Sequence, residues 1–175
     1  NLERKVAEQT KALKENYYHD NLTGLENFIK LEESLKNEDF TTLYILDISN
    51  FSFIFKQYGL LFSSRVLKEV ANSLYKHINE DMKLFKIESD KFAILTYCEN
   101  AEDIKEYSKQ IVSYYDNCNM QVDEVELNVS FSVGITTIND EGDPLINCEY
   151  ALRRAKSIGA RYFFYADIDN SMVEM

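Results

Sequence analysis

Residues 83–97 read KLFKIESDKFAILTY, two alternating apolar runs on either side of the polar insert Glu88-Ser89-Asp90-Lys91. Alternation with a period of two predicts β-strands, and a short charged insert between two such runs predicts a hairpin with a charged tip. Such a tip is usually a solvated turn, but an aspartate presented between two strands can also be part of a functional site. The rest of the chain decides between these two interpretations.

The composition indicates a folded, acidic protein. Its 175 residues are 45% hydrophobic and 13% aromatic, which suffices for one domain with a core. Thirty acidic against 19 basic residues give a net charge of −11, so we expect no nucleic-acid partner, although a divalent cation could still bridge the chain to a nucleotide.

No apolar run reaches the roughly 18 residues that a membrane-spanning helix needs, so we expect no membrane contact within this fragment. The three cysteines, Cys98, Cys118 and Cys148, lie far apart, which predicts reduced thiols in a cytoplasmic protein. The parent protein could still be anchored in a membrane.

Residues 1–18 predict a helix with an apolar seam. Leu2, Val6, Gln9 and Leu13 are four, three and four residues apart, the spacing of a parallel coiled coil. We therefore expect a homodimer through this helix, which would relay a signal from upstream. The alternative is an ordinary amphipathic helix that packs on its own domain. Because the chain starts inside this helix and without a methionine, we expect a fragment of a longer protein.

The remaining apolar pattern predicts helices interleaved with strands. We expect helices over residues 27–36, 50–58, 60–78, 101–115 and 144–158, and strands over 41–48, within 121–137 and over 161–166, besides the hairpin. Within 121–137 we expect one strand pair whose second part, residues 127–135, alternates without interruption. This order predicts an α/β (α+β) sandwich of the ferredoxin-like or palm type, with a mixed, roughly five-stranded sheet flanked by helices.

Asp47 lies at the end of the predicted buried strand over residues 41–48. A carboxylate in that position is costly to bury unless it is paired or bound to a metal ion. The sequence therefore predicts either a ligand or a capping residue at Asp47.

Several motifs, in order, resemble those of GGDEF domains, the diguanylate cyclases, which join two GTP molecules into cyclic di-GMP. They are DNLTGLEN at 20–27, Asp47-Ile48-Ser49-Asn50-Phe51, Tyr58-Gly59, Ser132-Val133-Gly134-Ile135 and ALRRAKSIG at 151–159. The resemblance implies a nucleotidyl-cyclase-like fold with an N-terminal signalling helix at 1–18, a GGDEF domain at 19–167 and, at 168–175, the start of a linker. The tail from Phe164 resembles a linker into an EAL phosphodiesterase domain.

The hairpin tip falls on the loop that names the family, and its sequence differs there. Gly-Gly-Asp-Glu-Phe is replaced by Glu88, Ser89, Asp90, Lys91 and Phe92. Two glycines permit positive φ angles and a close approach to the nucleotide, whereas Glu88 and Ser89 add side chains and a negative charge. Lys91 replaces an acidic residue that assists catalysis in the family. We therefore expect a degenerate loop with no catalytic residue.

The resemblance also implies a cation site. Its ligands would be the carboxylates of Asp47 and Asp90 and the carbonyl of Ile48, a set that suits Mg²⁺. Lys156 corresponds to a phosphate-contacting lysine. The arginine that accompanies it in the family falls on Ala160, where neighbouring Arg161 is a candidate substitute.

Recognition of guanine is altered. The family's base-reading asparagine and aspartate fall on Phe55 and Ser64, and Ser49 and Ser52 replace a second aspartate and a lysine. A guanine left without hydrogen-bond partners loses affinity. If a nucleotide is still bound, the expected contacts are Asn50, Phe51, Ser52, Phe55, Ser64 and Lys156.

These residues favour an inactive regulatory GGDEF domain that acts on neighbouring sensor and EAL domains and could bind GTP or another nucleotide. Three alternatives remain: an active cyclase with a divergent site, a sensor that binds a nucleoside triphosphate without turnover, and a pure dimerisation module.

Overall fold

The structure, a computed structural model, describes residues 1–139 and 141–168. Its helices are α1 (Leu2–Tyr18), α2 (Phe28–Asn37), α3 (Phe51–His77), α4 (Ala101–Asn117) and α5 (Pro144–Ser157), and Tyr165–Asp167 form a 3₁₀ turn. Its strands are β1 (Thr42–Ile48), β2 (Met82–Glu88), β3 (Lys91–Thr96), β4 (Asn119–Val122), β5 (Val125–Asn128), β6 (Phe131–Thr137) and β7 (Tyr162–Phe164).

The main sheet has the strand order β2-β3-β1-β6-β7. Among the described residues, the β6–β7 pair of this sheet is parallel and its other three strand pairs are antiparallel. The sheet is therefore mixed, which confirms the predicted fold class. Every residue of β1 is buried, because α3 and α4 cover one face of the sheet while α2 and α5 cover the other. The predicted central strand is confirmed as well.

Helix α3 contains a kink at Gly59, which has φ 84° and ψ −178°. Such a positive φ is accessible to glycine without the clash that a Cβ would cause. The predicted division into two helical segments at this residue is confirmed. The kink lets residues before and after it face the same cleft, which is described below.

The predicted unbroken strand over residues 127–135 is wrong. Strand β5 ends at Asn128 and pairs only with β4 in a separate two-stranded sheet, and β6 begins at Phe131 in the main sheet. The amide of Asn50 donates to the Asn128 carbonyl at 2.8 Å and accepts from the Ser130 N–H at 3.2 Å. These bonds satisfy backbone groups at the break, so the chain can change sheets there.

The last predicted strand, residues 161–166, is also too long. Strand β7 ends at Phe164, and the chain then forms the 3₁₀ turn. The predicted linker beyond Ile168 lies outside the described residues.

Helix α1 forms as predicted, and none of its residues is buried. Leu2, Val6 and Leu13 of the seam are 77%, 53% and 69% exposed. The alternative in which this seam packs on its own domain is therefore wrong, whereas the dimer stays a prediction. No helix in the described part of the chain combines the length and apolar character needed to cross a membrane.

Gly134 sets how closely α5 approaches the sheet. A Cβ at this position would lie 2.5 Å from both the Cys148 carbonyl oxygen and the Leu152 amide nitrogen, far inside normal contact distance. Both are backbone atoms, which cannot move aside as a side chain can. Contact between β6 and α5 therefore requires glycine here.

We predict that Gly134→Ala lowers the free energy of unfolding by about 2–3 kcal/mol, because α5 must move away from β6. Urea unfolding followed by circular dichroism measures this change. Ser132→Ala on the same strand is the control and should cost much less. Equal stability of Gly134→Ala and the unchanged chain would contradict the proposed close contact.

Candidate functional site

The hairpin tip lies beside the end of β1. Strands β1 and β3 run antiparallel with Asp47 opposite Lys91, and the Ile48 N–H donates to the Asp90 carbonyl oxygen at 3.2 Å. The fold thus brings together the three predicted cation ligands, Asp47, Ile48 and Asp90.

Asp47 is only 3% exposed, so its charge requires a partner. That partner is Lys156 of α5, whose ammonium donates to Oδ2 of Asp47. The sequence predicts that Lys156 contacts phosphates. In the structure its ammonium is paired with Asp47, one of the predicted metal ligands.

Asp90 lies next to Asp47 in a partly buried position. Burial raises the pKa of Asp90 to about 6, and the neighbouring Asp47 carboxylate acts in the same direction, while Lys156 opposes the shift. Two carboxylates in such proximity repel one another, so a cation or a proton between them is favourable.

The hairpin tip has contacts of its own. Ser89 adopts φ 36°, in the left-handed region where glycine is favoured. Lys91 donates to Glu88 at 3.1 Å and to Glu149 of α5 at 3.2 Å. The lysine at the position of the family's acidic residue therefore pairs within the tip through Glu88 and connects the tip to α5 through Glu149.

A cleft of about 460 Å³ lies beside this tip, between the hairpin and both segments of α3. Its lining comprises Phe51, Ser52, Phe55, Leu60, Ser63, Ser64, Leu67, Ser89 and Asp90. Four of the six predicted nucleotide contacts, Phe51, Ser52, Phe55 and Ser64, thus share one cleft.

Sequence reasoning missed Leu60, Ser63 and Leu67 in this lining. Ser63 is 1% exposed. A polar residue on the core-facing side of a predicted helix is the signal that could have identified it, since buried hydroxyls need partners.

The other two predicted nucleotide contacts, Asn50 and Lys156, are not among the residues that line the cleft. Both ends of the Asn50 amide bind the break between β5 and β6, as described above. Arg161 does not take the place of the missing arginine, because its guanidinium donates to Asp116 at 2.7 and 2.8 Å and to the Phe131 carbonyl at 3.0 Å.

Asp47 and Asp90 provide the chemistry that a Mg²⁺ ion prefers. The described residues contain no group of three or more His, Cys, Asp or Glu side chains that could hold a metal ion. Mg²⁺ usually takes one or two carboxylates and completes its shell with water and phosphate oxygens. The pair therefore fits an ion that arrives with a nucleotide better than a free-standing metal site.

This fold is that of a nucleotidyl-cyclase type of domain, and the family comparison agrees. Residues 17–161 match the family described as "Diguanylate cyclase, GGDEF domain". The chain belongs to the GGDEF family.

Among curated proteins, the chain is 27% identical over 151 residues to diguanylate cyclase DgcP from Pseudomonas aeruginosa. This alignment covers 80% of the chain but only 22% of DgcP, so the chain spans about a fifth of that relative.

Solved structures share the fold, and two of them show how closely. The coiled coil and GGDEF domain of DgcB from Caulobacter crescentus, in complex with c-di-GMP, gives a TM-score of 0.79 at 15% identity and covers 92% of each chain. The S helix-GGDEF-EAL structure of Vibrio cholerae LapD, bound to c-di-GMP, gives 0.73 at 20% identity over 92% of this chain and 40% of that one.

We predict that Asp90→Asn stabilises the protein at neutral pH without added metal. The pKa of Asp90 is about 6 in the folded protein against an ordinary value of 3.8, so folding favours the protonated form. Ionised Asp90 therefore costs stability above pH 6, and this cost fades as the pH falls towards 4. Asparagine imitates the protonated form, so the gain should be about 2 kcal/mol at pH 8 and near zero at pH 4.

Chemical unfolding in EDTA at both pH values measures this difference. Asp81→Asn, which changes an exposed carboxylate, is the control and should show no such gain. A loss of stability at pH 8 in Asp90→Asn would contradict the described surroundings of Asp90.

Proposed function

We propose that this chain is a GGDEF domain without cyclase activity, which acts as a regulatory module in cyclic di-GMP signalling. The observation that carries the proposal is the pairing of Lys91 at the hairpin tip. Lys91 occupies the family's acidic position and is bound by Glu88 and Glu149, so its ammonium is committed to α5. A lysine held in this way supplies neither the negative charge nor the proton acceptor that an acidic residue offers.

The two glycine positions support the same conclusion. Glu88 has an exposed side chain where the resemblance places nucleotide phosphates. A carboxylate in this position adds negative charge beside the phosphates, although solvent and the Lys91 ammonium screen it. Ser89 keeps the positive φ of a glycine but adds a side chain, which narrows the approach to the backbone.

Binding of a nucleoside triphosphate without turnover is part of this proposal. Asp47 and Asp90 fit a Mg²⁺ ion carried by the nucleotide, and Lys156 places an ammonium at the same end of β1. When bound, the ion would neutralise the phosphates beside these carboxylates. The cleft next to Asp90 has room for a base.

We also propose a position for this domain in its parent protein. Residues 1–18 would be the signalling helix, 19–167 the regulatory GGDEF domain and 168–175 the start of a linker to an EAL domain, with a sensor upstream. The support is the tail sequence and the domain order of LapD, in which an S helix, a GGDEF domain and an EAL domain occur in one structure. A cytoplasmic location accords with the three free cysteines.

We predict no cyclic di-GMP when the chain is incubated with GTP and Mg²⁺, because the loop no longer supports the reaction. Chromatography with mass spectrometry detects the product, and an active diguanylate cyclase run in parallel is the positive control. The variant Glu88→Gly/Ser89→Gly/Lys91→Glu tests whether the loop alone blocks turnover. Steady product formation by the unchanged chain would instead establish the alternative of an active cyclase with a divergent site.

Dimerisation through α1 is a second proposed role. Leu2, Val6 and Leu13 form an exposed apolar seam on a helix none of whose residues is buried. A second copy of the helix would cover this seam, since the heptad spacing matches a parallel pair. The coiled coil in the DgcB structure supports the arrangement.

We predict that Val6→Glu/Leu13→Glu shifts the chain from dimer to monomer, because two charges would enter the seam. Sedimentation velocity across a concentration series measures the change. Lys11→Glu, on the outer face of the same predicted helix pair, introduces the same residue outside the seam and should leave the dimer intact. A dimer that survives the double substitution would contradict dimerisation through α1.

A further inference from the structure

A second cleft, of about 450 Å³, lies at the end of the main sheet that is remote from the hairpin tip. Its lining includes residues of α4 together with Met82 and Thr96, which pair with each other at the start of β2 and the end of β3. The hairpin tip lies at the opposite end of the same two strands, where Glu88 pairs with Lys91. This second cleft, the α4 cleft, is therefore separate from the candidate site described above.

The charged groups in the lining of the α4 cleft are all carboxylates. They belong to Asp81, which precedes β2, and to Asp103 and Glu106 of α4, and all three residues are exposed. The lining contains no lysine, arginine or histidine, and no salt bridge joins these carboxylates to another described residue. Such a lining repels phosphates and other anions and attracts cations.

The three carboxylates are not arranged around a single metal ion. Within residues 1–139 and 141–168, no group of three or more His, Cys, Asp or Glu side chains could hold one. Carboxylates that are spread around a cleft instead match a ligand with several positive charges along its length. An aliphatic polyamine is such a ligand, because methylene groups separate its ammonium groups.

Aromatic rings form another part of the lining. Tyr97 is 42% exposed, and its ring stacks on Phe40 with the centroids 4.4 Å apart. Tyr44 and Tyr107 also line the α4 cleft and meet edge to face at 5.4 Å. Ring faces attract ammonium groups and pack against methylene groups. The rings therefore suit both the charged and the apolar parts of a polyamine.

The hydroxyl of Tyr44 is an independent indication of a ligand. Tyr44 is only 2% exposed, yet it lines the α4 cleft, and burial raises its pKa, so the hydroxyl stays protonated. No hydrogen bond joins this hydroxyl to another described residue, and it retains some accessible surface, whereas the Tyr107 hydroxyl is fully enclosed. A buried hydroxyl without a partner carries a desolvation cost, which an N–H donor in the cleft would remove.

From these groups, we propose that the α4 cleft binds an aliphatic polyamine. The carboxylates of Asp81, Asp103 and Glu106 pair with its ammonium groups, the ring of Tyr97 packs on its chain, and the Tyr44 hydroxyl accepts a hydrogen bond from one ammonium. The site requires neither a nucleotide nor the residues at the hairpin tip, so it is independent of the proposed function.

Calorimetric titration of the full chain with spermidine and with putrescine, in the absence of nucleotide, tests the proposal. Spermidine has one ammonium group more than putrescine and should bind about threefold to fivefold tighter, because each further exposed ion pair adds a modest gain. Binding should weaken as NaCl is added, since salt screens exposed charges. Equal affinities for the two amines would contradict the assigned pairing, and absence of spermidine binding would overturn the proposal.

Charge variants locate the site. Asp103→Asn/Glu106→Gln should weaken spermidine about tenfold, because two ion pairs are lost. Glu124→Gln/Glu126→Gln is the matched control, since it removes the same charge from exposed positions at β5, outside the cleft. Equal losses in the two variants would show only a general attraction to an acidic chain and would overturn the proposed site.

Variants of the tyrosines test the remaining contacts. Tyr97→Ala should weaken spermidine about threefold, because the ring is lost, whereas Tyr97→Phe keeps the ring and should bind like the unchanged chain. Tyr44→Phe removes only the hydroxyl and should weaken spermidine about threefold. Unchanged affinity in both Tyr97→Ala and Tyr44→Phe would overturn the proposed contacts.

Competition tests the chemical class of the ligand. Mg²⁺ should displace spermidine no better than NaCl of the same ionic strength, because the carboxylates do not surround a single ion. Cyclic di-GMP, which carries two phosphate charges, should not displace spermidine at all, since the lining is acidic. Displacement by cyclic di-GMP, or specific displacement by Mg²⁺, would overturn the assignment to a polyamine.

Discussion

The candidate site depends on the ion pair between Asp47 and Lys156. Asp47 is 3% exposed at the end of the central strand, so without a nearby cation its charge would be costly to bury. Lys156 reaches it from α5, and α5 lies close enough because Gly134 leaves no Cβ between helix and sheet. The position of α5, the burial of the Asp47 carboxylate and the position of the hairpin tip therefore depend on one another.

Much of this fold could be predicted from the residues. The burial of β1 followed from an apolar run over residues 41–48, and the division of α3 at residue 59 followed from the break between two apolar helical patterns, because each signal lies within the segment itself. The strand division after Asn128 could not be predicted, because it depends on the Asn50 amide, which is some 80 residues distant in sequence.

As with the fold, part of the candidate site could be predicted from the sequence and part could not. Motif spacing identified Asp47, Asp90, Phe55 and Ser64, and the fold brings the first two together and places the last two in one cleft. The partners of Lys91 and Arg161 could not be predicted, since long cations bind whichever carboxylates the fold brings near. These contacts determine which charges remain available to a ligand.

The site therefore combines a preserved framework with an altered loop, which accords with a domain that holds a nucleotide and does not convert it. Time-resolved ³¹P NMR of Mg²⁺·GTP mixed with the protein tests this most directly, because bound nucleotide and released pyrophosphate give separate signals. The account predicts shifted or broadened GTP resonances and no growth of a pyrophosphate signal. Pyrophosphate that accumulates together with cyclic di-GMP would contradict it.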